Sequence, residues 1–346
     1  MTRHNGEANT GEFPVKRRSM LRLSQNTLVK AEPLEGSLPL VVRPVVNNLR
    51  LTDWVEGSAG LVDEWLKRYG AILFRGFAIG SVPEFERFIT VTSGEPLPYS
   101  ERSSPRSRVD GNIYTSTDYP PDQSIFLHNE QSYNHTFPTR IFFYCMAAAQ
   151  TGGQTPIADT RRIFARLNLN LRRRFEESGY RYVRNFGNGF GLDWPTAFQT
   201  SDRCVVEAYC RRNDIHCEWK EGNRLRTSQR RQAVAKHPVT AELAWFNHAT
   251  FFHVSTLAPG IRSRLLAECE EEDLPNNTYY GDGTPIEPSV LEELRAAYLA
   301  EKTVFAWCQE DVLMLDNLLV AHGREPYEGP RRVLVGMAKL CRWSDL

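Results

Sequence analysis

A chain of 346 residues with 41% hydrophobic and 24% charged residues has the balance of a globular protein large enough to bury a sizeable core. Its 42 basic and 42 acidic residues cancel, which argues against a nucleic-acid footprint spread over the molecule. No apolar run reaches the roughly 18 residues of a membrane-spanning helix, and residues 1–12 lack the apolar stretch of a secretory signal.

Residues 1 to about 35 are polar and basic, with Lys16-Arg17-Arg18 among them. They predict a flexible arm ahead of a single domain over 36–346. Leu40-Val41-Val42-Arg43, between two prolines, predicts a short edge strand. Leu61, Val62, Trp65 and Leu66 recur at helical spacing and predict a helix over 60–69, ended by Gly70. The apolar run Ala71 to Phe77 predicts a buried strand, and 82–92 a second helix with Pro83 at its start. Residues 94–123 are rich in proline, serine and threonine. A loop of that length in a compact domain is functional or disordered. It runs into Phe126-Leu127-His128-Asn129-Glu130, so a flap over that motif is expected.

Arg140 to Ala147 is aromatic and apolar, a central strand. Gly152-Gly153 predicts a turn, 155–159 a short strand, and Thr160 the cap of a helix running to about Arg174. A strand at 180–184 follows. From 187 to about 240 the pattern changes, with a helix over 205–213 and a strand over 215–219, and this stretch is read as an inserted lid. Strand character returns at 244–248, helices are expected over 259–271 and 289–300, and strands over 312–315, 318–321 and 333–338. Many short strands with turn signals indicate a mainly β, jelly-roll core with flanking helices. The seven cysteines include no CxxC pair, which predicts reduced thiols in a cytoplasmic protein.

His128 and Glu130 are two residues apart in extended chain, so their side chains share a face and can grip one metal ion. His322, in Leu318 to Gly323, completes two histidines and one carboxylate. That facial triad with open positions is the arrangement of non-haem Fe(II) oxygenases. A 2-oxo acid co-substrate chelating such an ion needs a cation for its far carboxylate, and an arginine's planar fork matches it. Arg331 and Arg332 follow nine and ten residues after His322. They lie on opposite faces of the predicted strand, so only one can reach the pocket.

The order His128-x-Glu130, Thr155, His322, Arg332 resembles the taurine dioxygenase and clavaminate synthase superfamily of Fe(II)/2-oxoglutarate oxygenases. The resemblance is carried by Leu127–Asp159, by Trp245–His253 and by Leu315–Arg332. It implies a double-stranded β-helix (jelly roll, cupin-like) and a dioxygenase using Fe(II), 2-oxoglutarate and O2. By position, His128, Glu130 and His322 match the iron ligands, Thr155 a hydroxyl on the far carboxylate, and Arg332 its clamp. The resemblance also implies that a sulfonate substrate is disfavoured, because Gly336 stands four residues after Arg332 where taurine dioxygenase has a second arginine. Halogenases of this type carry a small residue in place of the carboxylate ligand, so Glu130 implies hydroxylation.

Asn247 and Arg226 are candidate substrate contacts, each with an ordinary alternative, a satisfied core asparagine and an exposed arginine. His135, His237, His248 and His253 are read as structural or solvated, and Asp316-Asn317 as a turn. The expected substrate is a small polar molecule, an amino acid free or tethered to a carrier protein in natural-product biosynthesis, with no nucleic-acid or membrane partner. Desaturation, epimerisation or cyclisation by the same cofactors is the near alternative; a non-catalytic jelly-roll binding protein is the distant one.

Overall fold

A computed structural model describes residues 27–36, 38–99, 106–116 and 119–346. Residues 1–26 of the expected arm lie outside it, but the arm's last part is a strand. Val29–Pro33 pairs antiparallel with Leu40–Pro44, which makes Leu40–Pro44 an interior strand and not an edge.

Two sheets make a flattened barrel. The major sheet has eight strands in the order Val29–Pro33, Leu40–Pro44, Ala71–Phe74, Val312–Asp316, Thr136–Ala147, Arg332–Arg342, Ile113–Thr115 and Arg108–Asp110. The minor sheet has four: Lys302–Thr303, Ile157–Asp159, Val320–Arg324 and Ile125–His128. Alternation along the central strand decides what each face meets. Ile141, Phe143 and Cys145 turn inward with Leu313, Leu315, Val333 and Val335, toward Ile157, Leu319 and Val320. Phe142 and Tyr144 turn outward, under Trp54, Leu66, Phe85 and Phe88 from helices Leu51–Glu56, Ala59–Tyr69 and Val82–Ser93. Gly70 ends the second of these helices at φ 74°, a left-handed conformation that glycine adopts without strain. This is the double-stranded β-helix expected from the sequence.

Several expectations need correction. Residues 94–123 are not structureless, because the hairpin Arg108–Asp110 and Ile113–Thr115 closes one edge of the major sheet. The helix expected from Thr160 is two helices, Thr160–Arg166 and Leu169–Ser178. Asp159, not Thr160, caps the first by accepting from the Arg161 and Arg162 amides. The lid over 187–240 is divided. Residues 194–220 hold two helices and a strand around a small core of Phe186, Trp194, Val206 and Ile215. Arg224–Arg231 pairs with Tyr180–Phe186 inside a four-stranded sheet that belongs to the body, and the strand His216–Lys220 is that sheet's edge. Among the described residues no helix is long and apolar enough to cross a membrane, and none of the seven cysteines is paired.

Candidate active site

The minor sheet brings together two of the three candidate metal ligands. Val320–Arg324 pairs with Ile125–His128 so that His322 lies directly opposite His128 in the register. Glu130 follows where the chain leaves the sheet. One ligand atom from each of His128, Glu130 and His322 lies within 4.8 Å of the other two. His322 Nε2 stands 3.7 Å from Glu130 Oε2.

His128 and Glu130 are each held by a specific partner, whereas His322 Nδ1 is buried without one. The His128 Nδ1–H donates to the Phe126 carbonyl at 2.9 Å, which leaves Nε2 as the unprotonated, metal-facing nitrogen. Its ring stacks on Phe251, with centroids 4.4 Å apart. Burial and the neighbouring His322 push His128 down to about 3, so it is a neutral ligand at physiological pH. Burial opposes the charge on Glu130, but Arg106 beside it, with His322, holds the carboxyl well below its ordinary range. Arg106 Nη2 donates to Glu130 Oε2 at 2.7 Å, and both side chains are buried.

Asp316-Asn317 does more than turn the chain. The Asn317 side chain accepts from the Glu130 amide at 2.8 Å and donates to the carbonyls of Glu130 and Pro138 at 2.9 and 2.7 Å. Asn129 donates back to the Asn317 carbonyl at 2.6 Å. Asp316, fully buried, is ion-paired to Arg140 and lies 3.3 Å from His237 Nε2. Behind the same turn, Gln229 and Arg231 donate to the Tyr133 carbonyl at 2.8 and 3.0 Å. Part of the stretch expected to form a lid is therefore a buttress under the Glu130 turn, and no residue of 187–240 lines the cavity.

The cavity over the two histidines is walled by Phe143, Ile125 and Gly323 and ends among Thr155, Ser116, Arg324 and Arg331. Thr155 is buried, and its Oγ1 accepts from Trp307 Nε1 at 3.1 Å, which leaves its hydroxyl proton to donate elsewhere. Here the structure corrects the assignment of the clamp. Arg332 is exposed and does not line this cavity; Arg331 does. Val333, Val335 and Met337 face the interior between the sheets, and Leu334 and Ala338 face the helices, so parity puts Arg331 on the inner side. Arg331 Nε donates to the Gly153 carbonyl at 2.8 Å and Nη1 to Ser116 Oγ at 3.1 Å, with Nη2 left for a ligand. Gly153, at φ 70°, makes room, since a Cβ there would come within 2.9 Å of the Arg331 side chain. Burial pushes Arg331 down to about 10, with Arg324 adding to the effect. The residue four after Arg331 is Val335, so the clamp's second arginine is absent under this assignment too.

Asn247 and Arg226 are not brought to the cavity. Asn247 is buried and spends its amide on the Ala233 carbonyl and the Ala249 amide. Arg226 sits on Arg224–Arg231, opposite Glu218 and Asn185. His248 is buried against Ser132, at 2.6 Å, and packs on the His128 ring without joining the cluster. Arg106 escaped the sequence reading, because nothing in Ser104 to Arg108 distinguishes one arginine from the next.

The donor set suits ferrous iron: two imidazoles and one carboxylate converge from one side, with space left on the other. An arginine and a free hydroxyl at the far end of the same cavity suit the second carboxylate of a 2-oxo diacid. Fold and site together define a 2-oxoglutarate-dependent dioxygenase that uses Fe(II), 2-oxoglutarate and O2. The chain belongs to the taurine catabolism dioxygenase TauD, TfdA family, whose model matches residues 32–338. It is 41% identical over 276 residues to the dapdiamide synthesis protein DdaC of Enterobacter agglomerans, covering 80% of this chain and 84% of that protein. It is 28% identical over 317 residues to a clavaminate synthase-like protein of Arabidopsis thaliana, covering 89% and 92%. Among solved structures the fold is shared with PvcB, an Fe, alpha-ketoglutarate dependent oxygenase from an isonitrile synthetic pathway. Identity there is 15% and the TM-score 0.55, over 95% of this chain and 98% of that one. A taurine dioxygenase from Burkholderia xenovorans matches with 15% identity and a TM-score of 0.55, over 90% and 89%.

Proposed function

We propose that this dioxygenase hydroxylates an unactivated C–H bond of a small polar substrate, an amino acid free or carrier-tethered, in natural-product biosynthesis. The observation that carries the reaction type is Glu130. A carboxylate stands in the third ligand position, buried and held anionic, so no coordination site is set aside for a halide. The substrate class is supported by a relative named for dapdiamide synthesis at 41% identity.

In this reading His128, Glu130 and His322 would hold Fe(II), which with 2-oxoglutarate as electron donor and O2 as oxidant would supply the oxidising power for C–H cleavage. Thr155 and Arg331 hold the co-substrate's far carboxylate and so fix its other end toward the metal. The wall of Phe143, Ile125 and the stacked His128–Phe251 pair keeps water from the reacting face. The Asn317 side chain holds the backbone of Glu130, and the Asn129 side chain donates in turn to the Asn317 carbonyl.

A succinate-release screen across amino acids, free and loaded on a carrier protein, with product mass read for each hit, tests the proposal. A gain of one oxygen is expected. A loss of two hydrogens would assign desaturation or ring closure instead, and an unchanged mass with inverted configuration would assign epimerisation.

A further inference from the structure

Among the described residues, Arg106 is the one cavity-lining cation paired with Glu130. It stands just before the hairpin strand Arg108–Asp110, with its side chain only 5% exposed. Its guanidinium lies over the Tyr99 ring, 4.8 Å from the centroid, which fixes the plane of the fork. Nη2 is spent on Glu130. Nε and Nη1 are buried and have no hydrogen-bond partner. Burying two donors of a charged group unpaired is costly, and native proteins keep such groups where a ligand completes them.

The co-substrate does not need this arginine. One carboxylate of 2-oxoglutarate belongs to Arg331 and Thr155, and the other sits at the metal. Ferrous iron offsets the dianion, and the single charge of Glu130 offsets only one of Arg106, Arg324 and Arg331, so the cavity keeps surplus positive charge. Arg324 already donates to the carbonyls of Tyr119, Pro120 and Gln123.

We propose that Arg106 binds the primary substrate, its free edge taking a carboxylate of the molecule to be oxidised. The enzyme thus selects free acids in which that carboxylate lies within a few bonds of the oxidised carbon. The proposal rests on the oxygenase reading above and narrows it. The closeness of Arg106 to Glu130 sets the short separation, since the carboxylate is held next to the metal cluster. An aminoacyl thioester whose only carboxylate is consumed by the carrier does not satisfy this edge.

The test uses the full chain as wild type, Arg106→Gln and Arg106→Lys. Glutamine keeps an N–H for Glu130 and loses the fork and the charge; lysine keeps the charge. Each protein is loaded anaerobically with Fe(II) and 2-oxoglutarate, and the metal-to-ligand absorption band is titrated. The probes are the free amino acids and their N-acetyl derivatives, each beside its primary amide. A molecule seated next to the metal shifts the band. For wild type, at least one acid is expected to shift it, with its amide on the order of tenfold weaker or more. Arg106→Gln is expected to weaken the same acid by a similar factor, with 2-oxoglutarate affinity within about twofold of wild type.

Arg106→Lys is expected to fall between the two, because it keeps the charge and loses the planar fork. A wild-type complex that binds acid and amide equally, or that answers no carboxylate in the panel, overturns the proposal. This arm needs no variant, so a misfolded Arg106→Gln does not shelter it. A matching loss of 2-oxoglutarate affinity in Arg106→Gln also overturns it, by giving the fork to the co-substrate. Failure of wild type to form the band is a different result, and would sink the oxygenase reading itself.

Discussion

At the metal end of the cavity the protein has already bonded the groups that aim His128 and Glu130. His128 Nδ1 is bonded to a carbonyl, the amide and carbonyl of Glu130 are both bonded to Asn317, and His322 is held in register opposite His128. The anion-binding cations are buried with donors to spare, Nη2 of Arg331 at the far end of the cavity and Nε and Nη1 of Arg106 beside Glu130. The first end is preorganised by the fold; the second is completed by what binds there. Metal sites need geometry fixed in advance, whereas a charged ligand supplies its own half of each hydrogen bond. The two ends should therefore fail differently when disturbed.

The largest effect is expected at the metal end. His322→Ala or His128→Ala should abolish succinate release and the anaerobic absorption band together, because a two-ligand remnant no longer fixes the ion. Turnover near the wild-type rate in either variant would sink the ligand assignment. Next in size is Arg331→Ala, which removes the clamp but leaves the metal cluster untouched. Loss of charge-assisted hydrogen bonds of this kind is worth roughly 1.5–3 kcal/mol, so the 2-oxoglutarate Kd should rise on the order of tenfold to a hundredfold with metal affinity unchanged. A parallel loss of metal affinity would merge the two ends into one network.

Asn317→Ala sharpens the comparison from the other side. It strips the partners from the Glu130 amide and carbonyl and from the Pro138 carbonyl, all at a buried position. Leaving such groups unpaired costs roughly 1–3 kcal/mol each before relaxation, so a loss on the order of 2–4 kcal/mol is expected in urea unfolding. A change below about 0.5 kcal/mol would mean that water or a shifted side chain replaces the asparagine without cost.

That asparagine also shows what was legible in the sequence and what was not. His128 and Glu130 can be paired by parity in an extended stretch, His322 joins them as the third donor of a facial triad, and Thr155 is placed by the family resemblance. The central strand and the order of helices and strands followed from apolar period and from turn residues. Long-range hydrogen bonds left no such mark. Asp316-Asn317 looks like any Asx turn, yet its side chains reach residues 176 to 187 positions away. Arg331 and Arg332 differ only in parity, which says that one faces inward without saying which; packing of Val333 and Val335 decides it. Arg106 lies in a stretch with neither period nor motif, and the stretch over 187–240 hides a body strand behind an insertion.

The pH dependence of co-substrate binding probes the anion end without a mutation. Arg331 binds a carboxylate only when protonated, and in the free protein burial and Arg324 bring it down to about 10. Bound 2-oxoglutarate favours the protonated form, so the bound value lies higher. The sign follows: affinity is at its full value below about 10 and falls as pH rises through it, by up to about tenfold per unit. Titration of the 2-oxoglutarate analogue N-oxalylglycine across this range reads the effect directly. A flat profile up to about pH 11 would mean that Arg331 keeps the ordinary basicity of an arginine despite its burial.

The smallest effect separates the two neighbouring arginines. Arg332 is exposed and lies beyond the cavity that holds His128 and His322, in a second hollow with Tyr119, Tyr327 and Arg331. An exposed side chain away from special features changes stability or affinity by about 0.5 kcal/mol or less, so Arg332→Ala should leave the 2-oxoglutarate Kd within about twofold. Its charge still contributes a screened field at Arg331, so the small residual change should shrink further as salt is raised. Suppose instead that Arg332→Ala raised the Kd as much as Arg331→Ala. The bulge between Arg332 and Val333 would then have to flip on ligand binding, turning Arg332 inward and Arg331 out. That flip would pull Arg331 off Gly153 and Ser116, so it would also cost the free protein two hydrogen bonds. A double variant reads the difference. With Arg331 as the sole clamp, Arg331→Ala/Arg332→Ala binds 2-oxoglutarate no more weakly than Arg331→Ala alone, apart from the salt-sensitive remainder.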